Sequence, residues 1–508
     1  MSLGLATDNT RSTLPRGRTR QALPRLALYA GGKESAVNTT VFERHRVSEN
    51  VLSHSLSSSV LSPFWVEDAG VDSTLPTLSG TLACDLAIVG AGYTGLWTAI
   101  EAKRRHPEWR VVILEAKDPG WAASGRNGGF VESTLTHGES NGRQRYPEEY
   151  ARLDQAGLDN LDAIEAAVTE YGWECDFWRV GSLAVALEPH ELDWLSEGAD
   201  GTREVFLDAD QVRSRVNSPT YLGANFAPRD TAMVHPGKLA REMLRTARDL
   251  GVEVFKDSPV THLSAQKDSI ELGVAAGMVK ATKVALATNA YPSLLKRYSL
   301  HTIPVYDYVL MSEPLTSAQK KEIGWDGREG IADMANQFHY YRISADDRIL
   351  FGGYDAIYHY GGKVDPRYEE RSESYTKLAS HFFTTFPQLE GLQFSHRWAG
   401  AIDTCSRFSA FFATAHQSRV AYAAGFTGLG VAATRFAAEV MLDQLERQKT
   451  WRTELEMVKS LPTPFPPEPL CYPAVQLTRA AINRADHREG RRGLFLKTLD
   501  AFGLGFDS

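Results

Sequence analysis

The chain has 508 residues, 43% of them hydrophobic, enough for a sizeable core and about three domains at ~150 residues each. A formal net charge of -8 argues against nucleic acid as the partner, because phosphate binding needs concentrated Lys and Arg. The scattered Cys84, Cys175, Cys405 and Cys471 make no C-x-x-C pair, no apolar run approaches the ~20 residues that span a bilayer, and the N-terminus has no signal-peptide core, so the expectation is a cytoplasmic small-molecule enzyme with no metal and no membrane partner.

Residues 1–50 carry Arg11, Arg16, Arg18, Arg20 and Arg25 against few acids and little apolar periodicity, which predicts a disordered extension; an anionic docking tail or transit peptide is the alternative. Residues 51–83, with Pro63, Phe64 and Trp65, predict an ordered lead-in packed on the main domain. From Cys84 to Glu115 an apolar strand enters Gly90-Ala91-Gly92-Tyr93-Thr94-Gly95, a helix follows, and a second strand ends on Glu115. This unit suits an adenine dinucleotide. Gly90 permits a tight turn, Gly92 leaves room beside the backbone for a pyrophosphate, Gly95 lets helix and strand pack closely, and Glu115 can accept ribose hydroxyls. The bland alternative is that the glycines only build a turn.

Next comes a glycine-rich loop, Ser124, Gly125, Arg126, Asn127, Gly128 and Gly129, able to approach a ligand without side-chain clashes. Helical spacing is read over about 147–170 and from Val234, where Pro236 stands near a helix N-terminus. The strand Val284 to Thr288 runs into a polar turn at Asn289. PVYDYVLM, HYYRIS and RILFGGYDA read as strands by their β-branched and aromatic content. Late in the chain, Gly425, Gly428 and Gly430 open a helix carrying Phe436, Val440, Met441 and Leu445 on its apolar side, which points a second helix N-terminus at a ligand. The basic stretch from Arg479 to Arg492 predicts a solvated terminal helix, with a cover for the cofactor domain or a neighbouring subunit as the alternative. His235, His339 and His396 are expected to be hydrogen-bonding residues, and neither H-E-x-x-H nor G-x-S-x-G occurs.

GAGYTGLWTA, Glu115, ASGRNGGF, ATNAY and AAGFTGLGV, in that order, resemble the flavoproteins of the D-amino-acid oxidase superfamily, and most of all the gamma-glutamylputrescine oxidoreductase branch. The resemblance runs from roughly Cys84 to Leu445. It implies noncovalent FAD, with the diphosphate on the turn at Gly90 to Gly95 and the ribose on Glu115. Ser124 to Gly129 would run along the dinucleotide and flavin, Val260 would meet adenine, and Ala287, Thr288 and Asn289 would lie near the pyrophosphate. Gly425, Phe426, Thr427, Gly428, Leu429, Gly430 and Val431 would lie against the isoalloxazine. The implied fold is α/β, α+β overall. A Rossmann-like FAD-binding domain from 84–150, 231–300 and 395–450 is interleaved with a mostly antiparallel β-sheet substrate domain from 151–230 and 301–394, and 451–508 is a C-terminal extension.

The chemistry implied is oxidation of a small-molecule amine, by hydride transfer from the amine-bearing carbon to flavin N5, with the imine then hydrolysed and oxygen or another acceptor taking the electrons. Reaction needs the neutral amine, so a dry aromatic pocket would help it shed its proton. Candidate walls are Tyr306, Tyr308, Tyr340, Tyr341, Tyr354 and Trp398, with Trp398, Tyr308 and Tyr340 the leading members. Strand alternation puts Tyr306 and Tyr308 on one face, forbids Tyr340 and Tyr341 from sharing a pocket, and sets Arg342 beside Tyr340; ordinary sheet packing is the equal alternative. Trp398 falls where glycine oxidase carries a carboxylate-binding arginine and monomeric sarcosine oxidase its flavin-linked cysteine, Cys405 lies several residues further on, and Arg348 only precedes the strand in which sarcosine-type enzymes place a lysine. A substrate held through its α-carboxylate is therefore disfavoured. Competing readings are an amino-acid oxidase or dehydrogenase of the same superfamily, a nicotinamide-dependent dehydrogenase, and a flavin-binding non-enzyme.

Overall fold

The computed structural model describes residues 39–70, 74–198, 201 and 203–501. In chain order, the elements that position the site are β1 (Gly80–Val89), α1 (Tyr93–Arg105), β2 (Val111–Leu114), α2 (Tyr150–Glu170), α3 (Pro236–Asp249), β3 (Glu253–Phe255), β4 (Gly277–Leu286), β5 (Ile303–Ser312), β6 (His339–Ile343) and β7 (Ile349–Gly353). After them come α4 (Ser372–Thr385), β8 (Phe394–Thr404), β9 (Val420–Ala424), α5 (Gly430–Leu445) and α6 (Cys471–Asp486).

Strands β3, β2, β1, β4 and β9 lie side by side and parallel in an eight-stranded sheet. Their sequences are near-continuous apolar runs because a parallel sheet is covered on both faces; Leu86, Ala87 and Ile88 of β1 are fully buried. Helices α1 and α5 both pack on this sheet, and Leu96, Ile100, Phe436 and Val440 share one core. Val89 is in register with Leu114 and with Leu286, which pairs with Tyr422, so the C-terminal ends of four strands come level. Ligands of open α/β sheets bind at such an edge.

The second sheet is ten-stranded and mostly antiparallel, with β8, β5, β7 and β6 consecutive. Asp307 pairs with Gly400 and Val309 with Trp398 across β5 and β8. One face of this sheet, with Tyr306, Tyr308, Tyr341 and Phe351, is sealed by Tyr375, Leu378 and Phe382 of α4. The fold is thus of the α/β class with an antiparallel second layer.

Three boundaries differ from expectation. Residues 1–38 lie outside the described residues, but residues 39–50, expected to be disordered, hold a helical turn at Val41–Arg44 and the start of the helix Glu49–Leu56. Val41 and Phe42 are buried there, and the Phe42 ring stacks on His381 with centroids 4.2 Å apart. Helix α2, assigned to the substrate part, places Leu153, Leu161 and Ile164 in the core of α1 and α5. Strand β8, assigned to the cofactor part, belongs to the second sheet. Periodicity reveals an element's type and its apolar face, but not the element it packs against. The lead-in helix Phe64–Ala69 does bury Phe64 and Trp65, and Pro236 is at the first turn of α3.

Candidate active site

Where the ends of β1, β4 and β9 come level, the glycine turns open on a cavity of about 1580 Å³. That exceeds the roughly 300–1,000 Å³ of ordinary small-molecule sites, leaving room for a dinucleotide and more. Gly90 has φ 108, and a Cβ there would sit 2.5 Å from the Ala287 carbonyl oxygen. A Cβ on Gly92 would sit 2.9 Å from Ser124 Oγ, and one on Gly95 would overlap the Gly90 carbonyl. Helix α1 begins at Gly92, which has no side chain to cap it, although the Tyr93 N–H donates to Ser124 Oγ at 2.9 Å. An uncapped helix start beside a Cβ-free turn suits a phosphate anion.

Glu115 is buried, and burial raises its carboxyl above the usual range although Ala91 N–H donates to Oε2 at 2.6 Å and Lys117 N–H to Oε1 at 2.9 Å. Of the expected cofactor residues in this half, Gly90, Gly92, Tyr93, Thr94, Glu115, Ser124, Arg126, Asn127 and Gly128 line the cavity, as do Val260, Ala287, Thr288 and Asn289. Gly95, Gly125 and Gly129 do not. They stand behind the wall, where a side chain on Gly125 would meet Gly120 O at 2.5 Å and one on Gly129 would overlap Val234 O. Asn127 shapes its own loop, donating to Ala123 O at 3.0 Å and Ser124 O at 2.9 Å and accepting from Gly129 N–H at 2.9 Å. Arg126 is tied to Glu369 at 2.6 Å and to the Ala399 carbonyl at 2.8 Å.

At the other glycine turn, Phe426, Thr427, Gly428, Leu429, Gly430 and Val431 line the cavity, while Gly425 is packed on Cys405. Helix α5 also starts without a side-chain cap. Its turn is braced by Asp403, whose Oδ2 accepts the N–H of Gly425 at 2.6 Å and of Phe426 at 3.3 Å, and whose pKa burial pushes up to about 7. Thr434 Oγ1, on the same wall, is buried without a hydrogen-bond partner. The Cβ-free turns, the two uncapped helix starts and this orphaned hydroxyl fit FAD. The Cys405 thiol, also on the cavity wall, contacts the carbonyls of Ser409 and Gly425 at 3.2 and 3.3 Å, and burial raises its pKa, which disfavours the reactive thiolate.

The aromatic candidates divide differently from expectation. Tyr306 and Tyr308 do share a face of β5, but it is the face sealed by α4; Ile303, Val305, Asp307 and Val309 are the residues that line the cavity. Tyr308 Oη donates to Tyr368 O at 2.7 Å and Tyr306 Oη to Asp365 O at 3.1 Å. Trp398 is also off the cavity, fully buried with Phe64, Trp65, Met311 and Leu350, its Nε1 donating to the Arg126 carbonyl at 2.9 Å. It supports the Ser124–Gly129 loop from beneath. Strand parity says which residues share a face, but not which face meets the ligand.

Tyr340 and Tyr354 do line the cavity, whereas Tyr341 turns away to meet Tyr221 Oη at 2.9 Å. Gly352 makes room for the Tyr340 ring, since a Cβ there would come within 2.7 Å of it. Arg342, beside Tyr340, donates to Val234 O at 2.6 Å and to Gly129 O at 3.2 Å, and burial pulls its pKa down to about 9. The three histidines act as hydrogen-bonding groups. His235 Nδ1 accepts the Lys238 N–H at 3.1 Å, His339 Nδ1 lies 2.7 Å from Asp333 and His396 Nδ1 lies 2.9 Å from Ser395 Oγ. No metal-holding cluster occurs among the described residues.

Asp307 is the side chain that sequence reasoning missed. It stands half-buried on the cavity wall, the Tyr340 hydroxyl donates to its Oδ2, and desolvation pushes its pKa up to about 6. Among the described residues no cation forms an ion pair with it. A carboxylate interrupting the apolar run PVYDYVLM was the available signal, and alternation already set it opposite the tyrosines. The C-terminal extension was missed too. Thr463 to Pro466 and the α6 residues Ala474, Val475, Thr478, Arg479 and Ile482 line the same cavity, so α6 is not simply a solvated helix.

Comparison with known proteins agrees with this geometry. Residues 85–444 match the family model for FAD dependent oxidoreductases, DAO. The chain is 29% identical over 398 residues to the gamma-glutamylputrescine oxidoreductase of Escherichia coli, covering 76% of this chain and 88% of that protein. It is 27% identical over 405 residues to the probable oxidoreductase OrdL of Haemophilus influenzae, covering 76% and 89%. The crystal structure of glycine oxidase from Geobacillus kaustophilus superposes with a TM-score of 0.61 at 18% identity, over 75% of this chain and 100% of that one. The chain belongs to the DAO family of FAD-dependent oxidoreductases.

Proposed function

We propose that this enzyme oxidises a primary or secondary amine of the gamma-glutamylputrescine type. The carrying observation is Asp307, a half-buried carboxylate on the cavity wall with a phenol donor and no ion-paired cation among the described residues. An alkylamine arrives protonated and complements that charge. Asp307 holds the ammonium and takes its proton at a carboxylate oxygen, while Tyr340 Oη keeps the other lone pairs oriented. The apolar cavity walls disfavour the charged amine and ease that transfer.

FAD, when bound, would supply the two-electron oxidation of the amine-bearing carbon. Residues Gly90 to Thr94, Glu115, Ser124 to Gly128, Val260 and Ala287 to Asn289 would hold the dinucleotide, noncovalently. Phe426 to Val431 and the start of α5 would face its redox-active end, where N–H groups favour negative charge. The 29% identical relative named for gamma-glutamylputrescine supports the finer substrate class. Four free, buried cysteines suit a reducing compartment such as the cytoplasm, and no helix among the described residues is long and apolar enough to cross a membrane.

The test is anaerobic mixing of the flavin-loaded enzyme with amines, amino acids and 2-hydroxy acids. Bleaching by amines is the expected result, and reoxidation by air then separates oxidase from dehydrogenase. Bleaching by hydroxy acids alone would remove the amine reading.

A further inference from the structure

Helix α6 brings to the cavity a cation, Arg479, that forms no ion pair among the described residues, although Asp355 stands near enough to interact with its charge. Val475, Arg479 and Ile482 recur at helical spacing and all line the cavity, so one stripe of α6 forms part of its wall. The helix is clamped at both ends. Asp486 accepts the backbone N–H of Asn336 at 3.0 Å and of Gln337 at 3.1 Å, and Glu468 accepts Tyr358 Oη at 2.7 Å.

Arg479 is thereby held in a fixed place with most of its hydrogen-bonding capacity unspent. Its Nη1 donates to Gln476 Oε1 at 3.0 Å, but its Nε is buried without a partner. Among the described residues no carboxylate forms an ion pair with it. Asp355, on the same wall, is already engaged by Ser374 Oγ at 2.7 Å and Lys377 Nζ at 3.1 Å. A planar guanidinium with free N–H groups at a cavity wall is shaped for a carboxylate, which it can grip through two parallel hydrogen bonds.

We propose that Arg479 is a carboxylate anchor of the substrate cavity, so that the substrate carries, besides the amine received by Asp307, a carboxylate on a separate part of the molecule. This rests on the amine-oxidising reading for its account of the substrate's other end. Asp307 on β5 and Arg479 on α6 form no ion pair with each other among the described residues, which leaves both available to one bifunctional ligand. It also supplies from the C-terminal extension the positive charge that Trp398 cannot.

The test uses the flavin-loaded full chain and glutarate, a dicarboxylate without an amine. Calorimetric titration should give binding to the wild type that weakens about 10- to 100-fold in Arg479→Gln, the range set by charge-assisted hydrogen bonds, and less in Arg479→Lys, which keeps the charge but not the fork. Equal affinity in all three proteins, or no binding to the wild type, would overturn the anchor. In turnover, an ω-amino carboxylate should be preferred in KM over its carboxamide twin, and that preference should collapse towards one in Arg479→Gln with kcat within about twofold. A kcat loss shared by both substrates would instead mark a structural role. If glutarate binding depends on Arg479 while no amine bleaches the flavin, the amine reading falls and the anchor stands.

Discussion

The two ends of the cavity are specified by opposite means. At the proposed dinucleotide end Gly90, Gly92 and Gly95 act through the side chains they lack, and the first contacts offered are backbone N–H groups of one turn and one helix start. At the proposed substrate end Asp307, Tyr340 and Arg479 would act through what they carry, and they come from β5, β6 and α6, far apart in the chain. Each turn of a site made of backbone is contiguous, because a turn is a local object. A site made of side chains need only converge in space, and can be rebuilt one residue at a time without disturbing the turn. Mutations should therefore separate the two ends cleanly.

The largest effect is expected from Gly95→Val, whose side chain would overlap the Gly90 carbonyl. Overpacking of about 1–3 kcal/mol or more at that contact should leave a protein with little flavin per chain, read from the visible absorbance of the purified protein. Asp307→Asn should keep its flavin yet lower kcat/KM for an amine by about 10²- to 10⁴-fold, the usual worth of a positioned acid–base group. Flavin loss in that variant would blur the comparison. Tyr340→Phe removes one donor to the Asp307 carboxylate, so the charged form loses support, the pKa rises above about 6, and the acid side of the activity profile should move to higher pH with a roughly tenfold rate loss at neutral pH. Trp398→Phe should be the mildest for catalysis. It gives up the 2.9 Å bond to the Arg126 carbonyl and some buried area, costing about 1–3 kcal/mol of stability in a thermal melt while the amine KM stays put. A large KM change would return Trp398 to the pocket wall.

How much of this was legible follows from the same contrast. Of the residues expected to hold the cofactor, all but Gly95, Gly125, Gly129 and Gly425 line the cavity, since glycine spacing and a flanking acid encode a turn locally; those four shape the wall from behind. At the substrate end, alternation correctly paired Tyr306 with Tyr308 and separated Tyr340 from Tyr341, but the sign of the face depends on α4, which covers one side of the sheet from a distant stretch of sequence. Asp307 was thus hidden between two tyrosines that drew attention to the wrong side. The role of α6 was beyond local reading altogether, because it depends on Asp486 reaching the backbone at Asn336 and Gln337. Likewise, Phe42 lies in an Arg-rich, aperiodic region and is held by distant partners, His339 and His381 through its ring and Glu188 through its neighbours Val41 and Arg44.

The central claim is that Asp307 receives the amine, and the pH dependence of anaerobic flavin reduction tests it most directly. Below about pH 6 Asp307 is protonated and can neither pair with an ammonium nor accept its proton, so kcat/KM in the wild type should fall as pH drops through about 6. In Asp307→Asn the limb near 6 should vanish and the residual rate should be flat there. An identical limb near 6 in both proteins would contradict the account.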